Sequence, residues 1–363
     1  MVHFSQTVFQ QLLSRVHPDA IFLLVDKKVA VTVAKIQALI EGEKAKSSEE
    51  KGQSTLKEAS IHYHILELHA GEEIKSLSHI ECVASWLNDN HATRSSLIVA
   101  IGGGALLDFA GFLAAIYKRG IAIAYLPTTL LAMVDAAYGG KTAVDILGIK
   151  NLLGVIRQPN AVFIYEDFLT TLPAKERLSG FGELLKYGLL EGNPLWSDIL
   201  RVDPLGDLSE ITPFIEKAIK IKQRYIALDL NDNGVRRHLN LGHTIGHAFE
   251  AFSSTAEAPR SLSHGEAVAL AMICELYISH CRFQFPSEEL HRLESFVREH
   301  IAAFPLQCSN YPTLLKLIQQ DKKNQGKEIK MILLKSLGKA EECSISQDEL
   351  LASFDYYRDL FGY

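Results

Sequence analysis

Five short apolar runs recur in the first half of the chain, at residues 20–25, 61–66, 97–101, 121–126 and 161–165. They have strand length and no clear polar face, the pattern of strands covered on both sides in a parallel sheet. Helical stretches at 76–87 and 108–117 lie between them. This alternation predicts an α/β N-terminal domain with a largely parallel, Rossmann-like sheet over residues 1–158. After about Pro159 helical periodicity takes over, with Pro173, Pro194, Pro204 and Pro213 marking helix starts and only 329–334 reading as a strand. A mainly α-helical C-terminal domain is therefore expected over 159–363. The charged segment 41–60 reads as a solvated helix or connection, no internal repeat is visible, and the active site is expected in the cleft between the domains.

At 363 residues the chain has room for two sizeable cores, and 47% hydrophobic with 22% charged residues is a globular balance. A net charge of −6 argues against nucleic acid or an anionic membrane as partner, while leaving room for a locally basic pocket. The five cysteines, Cys82, Cys274, Cys281, Cys308 and Cys343, show no CxxC spacing and suit a reducing cytoplasm. The N-terminus lacks the plan of a signal peptide. The longest apolar candidate, 121–133, is too short to span a membrane and is broken by Pro127. A cytoplasmic location is expected.

The run at 97–101 leads straight into Gly102-Gly103-Gly104 and then a helix beginning near Asp108. Glycines let a backbone approach a ligand closely, and a helix N-terminus offers N–H groups to an anion such as a dinucleotide pyrophosphate. Pro127-Thr128-Thr129, Asp135, Gly139-Gly140-Lys141 and Lys150-Asn151 follow, a glycine- and hydroxyl-rich stretch with the look of an anion-binding loop. In the helical half, Glu183 and Lys186 stand three apart on one helix face, and His243 and His247 four apart on another. Ser263-His264-Gly265-Glu266 adds a third histidine. A glutamate with histidines is a catalytic zinc set that leaves coordination positions open. Local spacing alone admits both His243 and His247 as ligands, and leaves Glu183 and Glu266 as equal candidates for the carboxylate.

These stretches together resemble the 3-dehydroquinate synthase family of sugar phosphate cyclases. The matching segments are GGGALLDFAGFLAAIYKRG (102–120), PTTLLAMVDAAYGGKTAVD (127–145), KNLLGVIRQP (150–159), DFLTTLP (167–173), GFGELLKYGLL (180–190), RRHLNLGHTIGHAFE (236–250), HGEAVALAM (264–272) and DKKNQGK (321–327). They occur in family order; Val25-Asp26 and 71–75 match more loosely. The resemblance implies a dehydroquinate synthase-like fold in which Glu183, His243 and His264 hold one Zn2+ or Co2+ and His247 faces substrate. It implies NAD contacts from Asp26, Glu72, Lys75, Gly104, Ala105, Leu106, Leu107, Asp108, Thr128, Thr129, Asp135, Lys141, Lys150, Phe168, Leu169, Thr170 and Thr171. Substrate would be gripped by Asp135, Lys141, Asn151, Lys186, Lys222, Arg236, Asn240, His247 and the Lys322/Lys323 pair. Arg119 would reach the phosphate of a neighbouring subunit's substrate in a homodimer. Ala136-Ala137-Tyr138 and Ile149 depart from the family's usual pattern beside these contacts.

The implied reaction belongs to the shikimate pathway. It oxidises a seven-carbon sugar phosphate with NAD, eliminates phosphate, returns the hydride, opens the ring and closes a carbocycle by an intramolecular aldol step. The cations Lys141, Lys186, Lys222, Arg236 and Arg119 suit a substrate carrying both phosphate and carboxylate. Three other readings remain at this level. One is a cyclase of the 2-deoxy-scyllo-inosose or valiolone synthase type, against which Arg236, Asn240 and His247 speak because they suit a carboxylate. The second is a metal-dependent polyol dehydrogenase, which would have no use for the lysine-rich grip. The third is an inactive regulatory or scaffold homologue.

Overall fold

From Ile21 to Val25 every side chain is fully buried, as an apolar strand covered on both faces must be. The computed structural model describes residues 3–29, 62–320 and 328–363, and in it this run is β1 (Ala20–Asp26). It lies beside β2 (His62–Leu68) and β3 (Leu97–Gly102), with β4 (Ala122–Pro127) next to β3. The antiparallel pair β5 (Lys141–Ile146) and β6 (Ile149–Ile156) follows in the chain, and the two-residue β7 (Ala161–Val162) returns to the edge of the sheet. The sheet order is β2-β1-β3-β4-β7, and every neighbouring pair is parallel. The chain steps one way from β1 to β2 and the other way from β3 to β4. The carboxyl ends of β1 and β3 therefore flank a topological switch point, the place where open α/β sheets bind ligands.

Among the described residues, helices α1 (Gln6–Val16), α2 (Leu77–Asp89) and α3 (Gly104–Ile116) accompany the sheet. Ser76 caps α2 by accepting the His79 N–H at 3.3 Å. Helix α3 buries Leu106, Leu107, Phe109, Phe112 and Leu113 in the core, so it is apolar around most of its girth. It starts at Gly104, four residues before the position expected from the sequence, because Gly103 itself serves as the N-cap. The β5–β6 hairpin was not anticipated. Its two-residue turn, Leu147-Gly148, has φ of 55° and 72°, the pair of positive values a type I′ turn requires. Leucine is not the residue that advertises such a turn.

The second unit is built around a buried helix. Its elements are α4 (Ala174–Glu191), α5 (Leu195–Ile199), α6 (Leu208–Leu228), α7 (His243–Ser253), α8 (His264–Phe283), α9 (Ser287–His300), α10 (Tyr311–Gln320), the antiparallel pair β8 (Ile329–Ser336) and β9 (Lys339–Ile345), and α11 (Gln347–Phe361). Every residue of α8 from Gly265 to Leu276 is buried, with α4, α7, α9, α11 and β8 packed on it. Pro173 and Pro194 stand at helix N-caps as expected, whereas Pro213 lies inside α6. Packing divides the chain into Met1–Leu172 and Pro173–Tyr363, since β7 and the turn Glu166–Thr171 stay with the parallel sheet.

Candidate metal centre and nucleotide-binding end

Two glycines let α4 and α8 touch backbone to backbone. A Cβ on Gly182 would lie 2.2 Å from the Gly265 carbonyl oxygen, and one on Gly265 would lie 1.7 Å from that of Ser179. No larger residue fits at either place, so the crossing is fixed there, and the neighbours of those glycines, Glu183 and His264, come together. His243 arrives at the start of α7. Its Nε2 and that of His264 each lie 3.3 Å from Glu183 Oε1. All three ligand atoms fall within 4.8 Å of one another. Metal–ligand bonds of about 2.0–2.1 Å at tetrahedral angles place ligand atoms about 3.3 Å apart, so the donor set fits a divalent ion of zinc's size. Both imidazoles are also held from behind: His243 Nδ1 lies 3.0 Å from the Leu241 carbonyl, and His264 Nδ1 lies 3.1 Å from Glu250 Oε2. A carbonyl only accepts, so the His243 proton sits on Nδ1 and Nε2 presents its lone pair.

The electrostatics agree with a cation-seeking pocket. Burial works against ionisation of Glu183, yet Lys186 and then His243 hold its carboxyl well below the usual range. Burial likewise opposes a charged His264, but its bonds to Glu183 and Glu250 push it up to about 10. His243 is pushed down to about 4, by burial first and by Lys186 in addition. Two carboxylates thus converge on one imidazole that holds a proton where a metal could sit. Glu266, the rival carboxylate, is engaged elsewhere. It accepts the Ser263 N–H at 2.8 Å and hydroxyl at 2.7 Å, closing the cap of α8, and pairs with Arg260 at 2.9 Å. His247 lies one turn along α7, its ring centre 5.4 Å from that of His243 and 6.0 Å from that of His264.

The second unit also carries several expected substrate groups. Lys186 is buried and ion-paired with Glu183. Lys222 on α6 and Arg236 in the 3-10 turn Val235–Asn240 are buried too, and that turn also carries Asn240 and packs against α4 and α6. Asp229 shapes the approach to it by accepting the N–H groups of Asn233 (3.1 Å), Gly234 (2.7 Å) and Arg236 (3.2 Å). Arg236 in turn donates to the Leu230 carbonyl at 2.6 Å. Lys322 and Lys323 lie outside the described residues.

In the first unit some of the expected nucleotide contacts stand at the carboxyl ends of the strands. Asp26 ends β1, Gly102 ends β3, and Thr128 follows β4, its N–H bonded to the Gly102 carbonyl at 3.0 Å. No side chain caps α3, so the N–H groups of Gly104, Ala105 and Leu106 face outward at a positive helix end. A Cβ on Gly103 would lie 3.2 Å from Thr129 Cγ2, and one on Gly104 would lie 3.2 Å from Ala136 Cβ. Lys75 links three expected positions, donating to Asp108 at 2.9 Å and Asn151 at 2.6 Å with Glu72 at 3.9 Å. Asp135 stands in a π-helical turn, and Lys141 and Lys150 are exposed on the hairpin. Leu106, Leu107, Phe168 and Leu169 bury their side chains, leaving only main-chain atoms for any ligand, while Thr170 and Thr171 are exposed. Arg119 stands apart, exposed beyond the far end of α3, about 20 Å from Gly104 by helix rise.

Sequence reasoning missed Glu250 and Asp229. Glu250 follows His243 by seven residues, two helical turns on the same face, and that periodicity was readable. Asp229 gives its signal only through the Asp-x-Asn-x-x-Gly style of turn it caps, which is common in loops with no function.

Comparison with known proteins sets the same residues in a wider frame. A 3-dehydroquinate synthase N-terminal family model matches residues 65–179, and the corresponding C-terminal family model matches 180–324. A 3-dehydroquinate synthase from Parabacteroides distasonis is 38% identical over 300 residues, which is 82% of this chain and 84% of that protein. Among solved structures, a 2-deoxy-scyllo-inosose synthase complexed with carbaglucose-6-phosphate, NAD+ and Co2+ superposes with a TM-score of 0.81 at 24% identity, covering 99% of this chain and 96% of the other. A 2-epi-5-epi-valiolone synthase from Streptomyces hygroscopicus with NAD+ and Zn2+ gives 0.79 at 22%, covering 94% and 92%. At that identity the two structures speak for the fold alone.

Proposed function

The chain belongs to the 3-dehydroquinate synthase family, and from that premise we propose that it converts 3-deoxy-D-arabino-heptulosonate 7-phosphate to 3-dehydroquinate and phosphate, a lyase step of aromatic amino-acid biosynthesis. The observation that carries the reading is the convergence of Glu183, His243 and His264 with Lys186 held against the same carboxylate. When bound, NAD would accept and return one hydride, and the divalent ion would polarise the hydroxyl being oxidised and its neighbour.

The chain's own residues supply binding and orientation. The N–H groups at the start of α3 suit the dinucleotide pyrophosphate, with Asp26 and Thr128 beside them. Lys186, Lys222, Arg236 and Asn240 suit the substrate's anionic and hydroxyl groups, because buried cations opposite anions make charge-assisted bonds. Phosphate leaves with the C–O electron pair once the adjacent carbon is acidified, and a phosphate oxygen can take that proton, so no separate base is required. Every hydride removed is returned, so NAD is not consumed.

A homodimer belongs to the same proposal. The β5–β6 hairpin exposes Leu147, Ile149, Leu152, Leu153 and Ile156, and Ile116 beside Arg119 is exposed as well, an apolar surface of the kind a partner subunit would cover. Among the described residues no helix is long and apolar enough to cross a membrane.

The test is phosphate release from 3-deoxy-D-arabino-heptulosonate 7-phosphate by protein stripped of metal, with NAD and Zn2+ added singly and together. Release only when both are present supports the proposal; no release under any combination refutes it.

A further inference from the structure

The buried helix α8 carries an acidic side chain with no part in the metal set, the fully buried Glu275. Its Oε2 accepts the N–H of Gly242 at 2.6 Å. Gly242 immediately precedes His243 and has φ of 78°, a conformation that L side chains avoid. It is also pressed onto α8: a Cβ there would lie 2.6 Å from Met272 Cγ, 2.9 Å from Val268 Cγ1 and 3.0 Å from the Val268 carbonyl oxygen. The N–H of Gly242 and the C=O of Leu241 are opposite ends of one peptide unit. That C=O is the group that receives the Nδ1 proton of His243 at 3.0 Å. One rigid amide plane therefore joins Glu275 to His243.

We propose that Glu275 is a positioning residue for His243, acting through the Leu241–Gly242 peptide. The carboxyl group fixes the rotation of that peptide about its flanking bonds, and so fixes where the Leu241 carbonyl points. The carbonyl sets the tautomer and the ring plane of His243, leaving Nε2 aimed at Glu183 Oε1. An acceptor on the amide N–H also polarises the peptide, which strengthens the carbonyl as an acceptor and makes Nε2 a better donor to a metal. Without it the turn still closes sterically, but a buried N–H loses its partner and the peptide is free to tilt.

This proposal rests on the metal-centre reading, and the experiment separates the two. Zinc affinity is measured by competition with a chromophoric chelator for the intact protein and for Glu183→Ala, Glu275→Leu, Glu275→Gln and Ser279→Ala, with the melting temperature of each metal-free protein. Ser279 lies one turn on in the same helix, where its hydroxyl donates to the Glu275 main-chain carbonyl at 2.8 Å and accepts the Leu334 N–H at 3.0 Å, so its loss disturbs α8 while leaving the Glu275 carboxyl group and the Leu241–Gly242 peptide in place. Glu275→Leu is expected to weaken zinc binding by about 10–100-fold, the range for groups supporting a ligand from behind. Glu275→Gln, which keeps an oxygen for the N–H, is expected to fall between it and the unaltered protein, and Ser279→Ala to melt earlier with unchanged zinc affinity. If the unaltered protein binds no zinc, the metal-centre reading fails. If it binds zinc and Glu183→Ala does not, then unchanged affinity in both Glu275 variants overturns the positioning role. Equal weakening by Ser279→Ala overturns it as well.

Discussion

Arg236 owes its place to a carboxylate seven residues earlier in the chain. Desolvation pulls the Asp229 carboxyl up, but backbone N–H groups, those of Asn233, Gly234 and Arg236 among them, hold it below the usual range. A group whose folded value lies below its unfolded one stabilises fully at neutral pH, and the contribution disappears as pH falls through the lowered value. Arg236→Ala is expected to cost about 2–5 kcal/mol in kcat/KM for the acidic substrate, the usual loss when a buried charge partner is removed. Asp229→Ala should raise KM at pH 7 with a smaller change in kcat, because it loosens the turn and leaves the guanidinium present. Steady-state kinetics on both variants check this, and normal turnover by Arg236→Ala would point to a neutral sugar phosphate instead. At this scale the residue types of the metal set were readable, each beside a glycine. The choice between His243 and His247, and between Glu183 and Glu266, came from the family resemblance alone and not from spacing. It depends on the Gly182–Gly265 crossing and on the cap Glu266 makes, neither of which any spacing in the chain records.

The elements most legible in the sequence were those whose burial is complete. Strands β1, β3 and β4 and the helix α3 are uniformly apolar because both faces are covered, and a run of that kind has few alternatives. Hairpins with polar or exposed faces escaped: β9 is the charged Lys-Ala-Glu-Glu-Cys-Ser-Ile, and β6 exposes aliphatics on a strand with little burial of its own. The Gly102–Gly104 turn ends one buried strand and opens one buried helix, so it is rigidly held and easily blocked. Gly104→Val adds a branched side chain whose Cβ alone already stands 3.2 Å from Ala136. It is expected to lower NAD affinity about tenfold or more by calorimetry, since a crowded backbone can no longer approach a pyrophosphate. Zinc binding in the other unit should be unchanged, which distinguishes a local block from unfolding. Unaltered NAD affinity would remove the turn from the cofactor site.

At the scale of the whole molecule, Arg119 is the residue that its own unit does not account for. It lies in a turn where Lys118, Arg119 and Gly120 have φ of 46°, 68° and 119°, and two consecutive non-glycine residues in that region are costly. The surroundings hold them there. Arg157 donates to the carbonyls of Ala114 and Ile121, each at 2.7 Å, clasping the chain on both sides of the turn, and Lys118 bonds the Ala92 carbonyl. A solvated cation at the end of a helix would need no such clasp, since its interaction with the helix dipole tolerates many rotamers. Exposed Ile116 and Ile156 lie on the flanking segments. If Arg119 serves a neighbouring subunit's site, Arg119→Ala homodimers and Glu183→Ala homodimers should each be nearly inactive. A hybrid of the two should recover activity, because the subunit with intact Glu183 then receives Arg119 from its partner. With random exchange half the dimers are hybrids and each hybrid has one complete site, so the mixture should approach about a quarter of the unaltered specific activity. Native mass spectrometry establishes the hybrid fraction independently. Verified hybrids with no recovered activity would place Arg119 in its own subunit's chemistry or outside it altogether, and the clasp around it would then need another purpose.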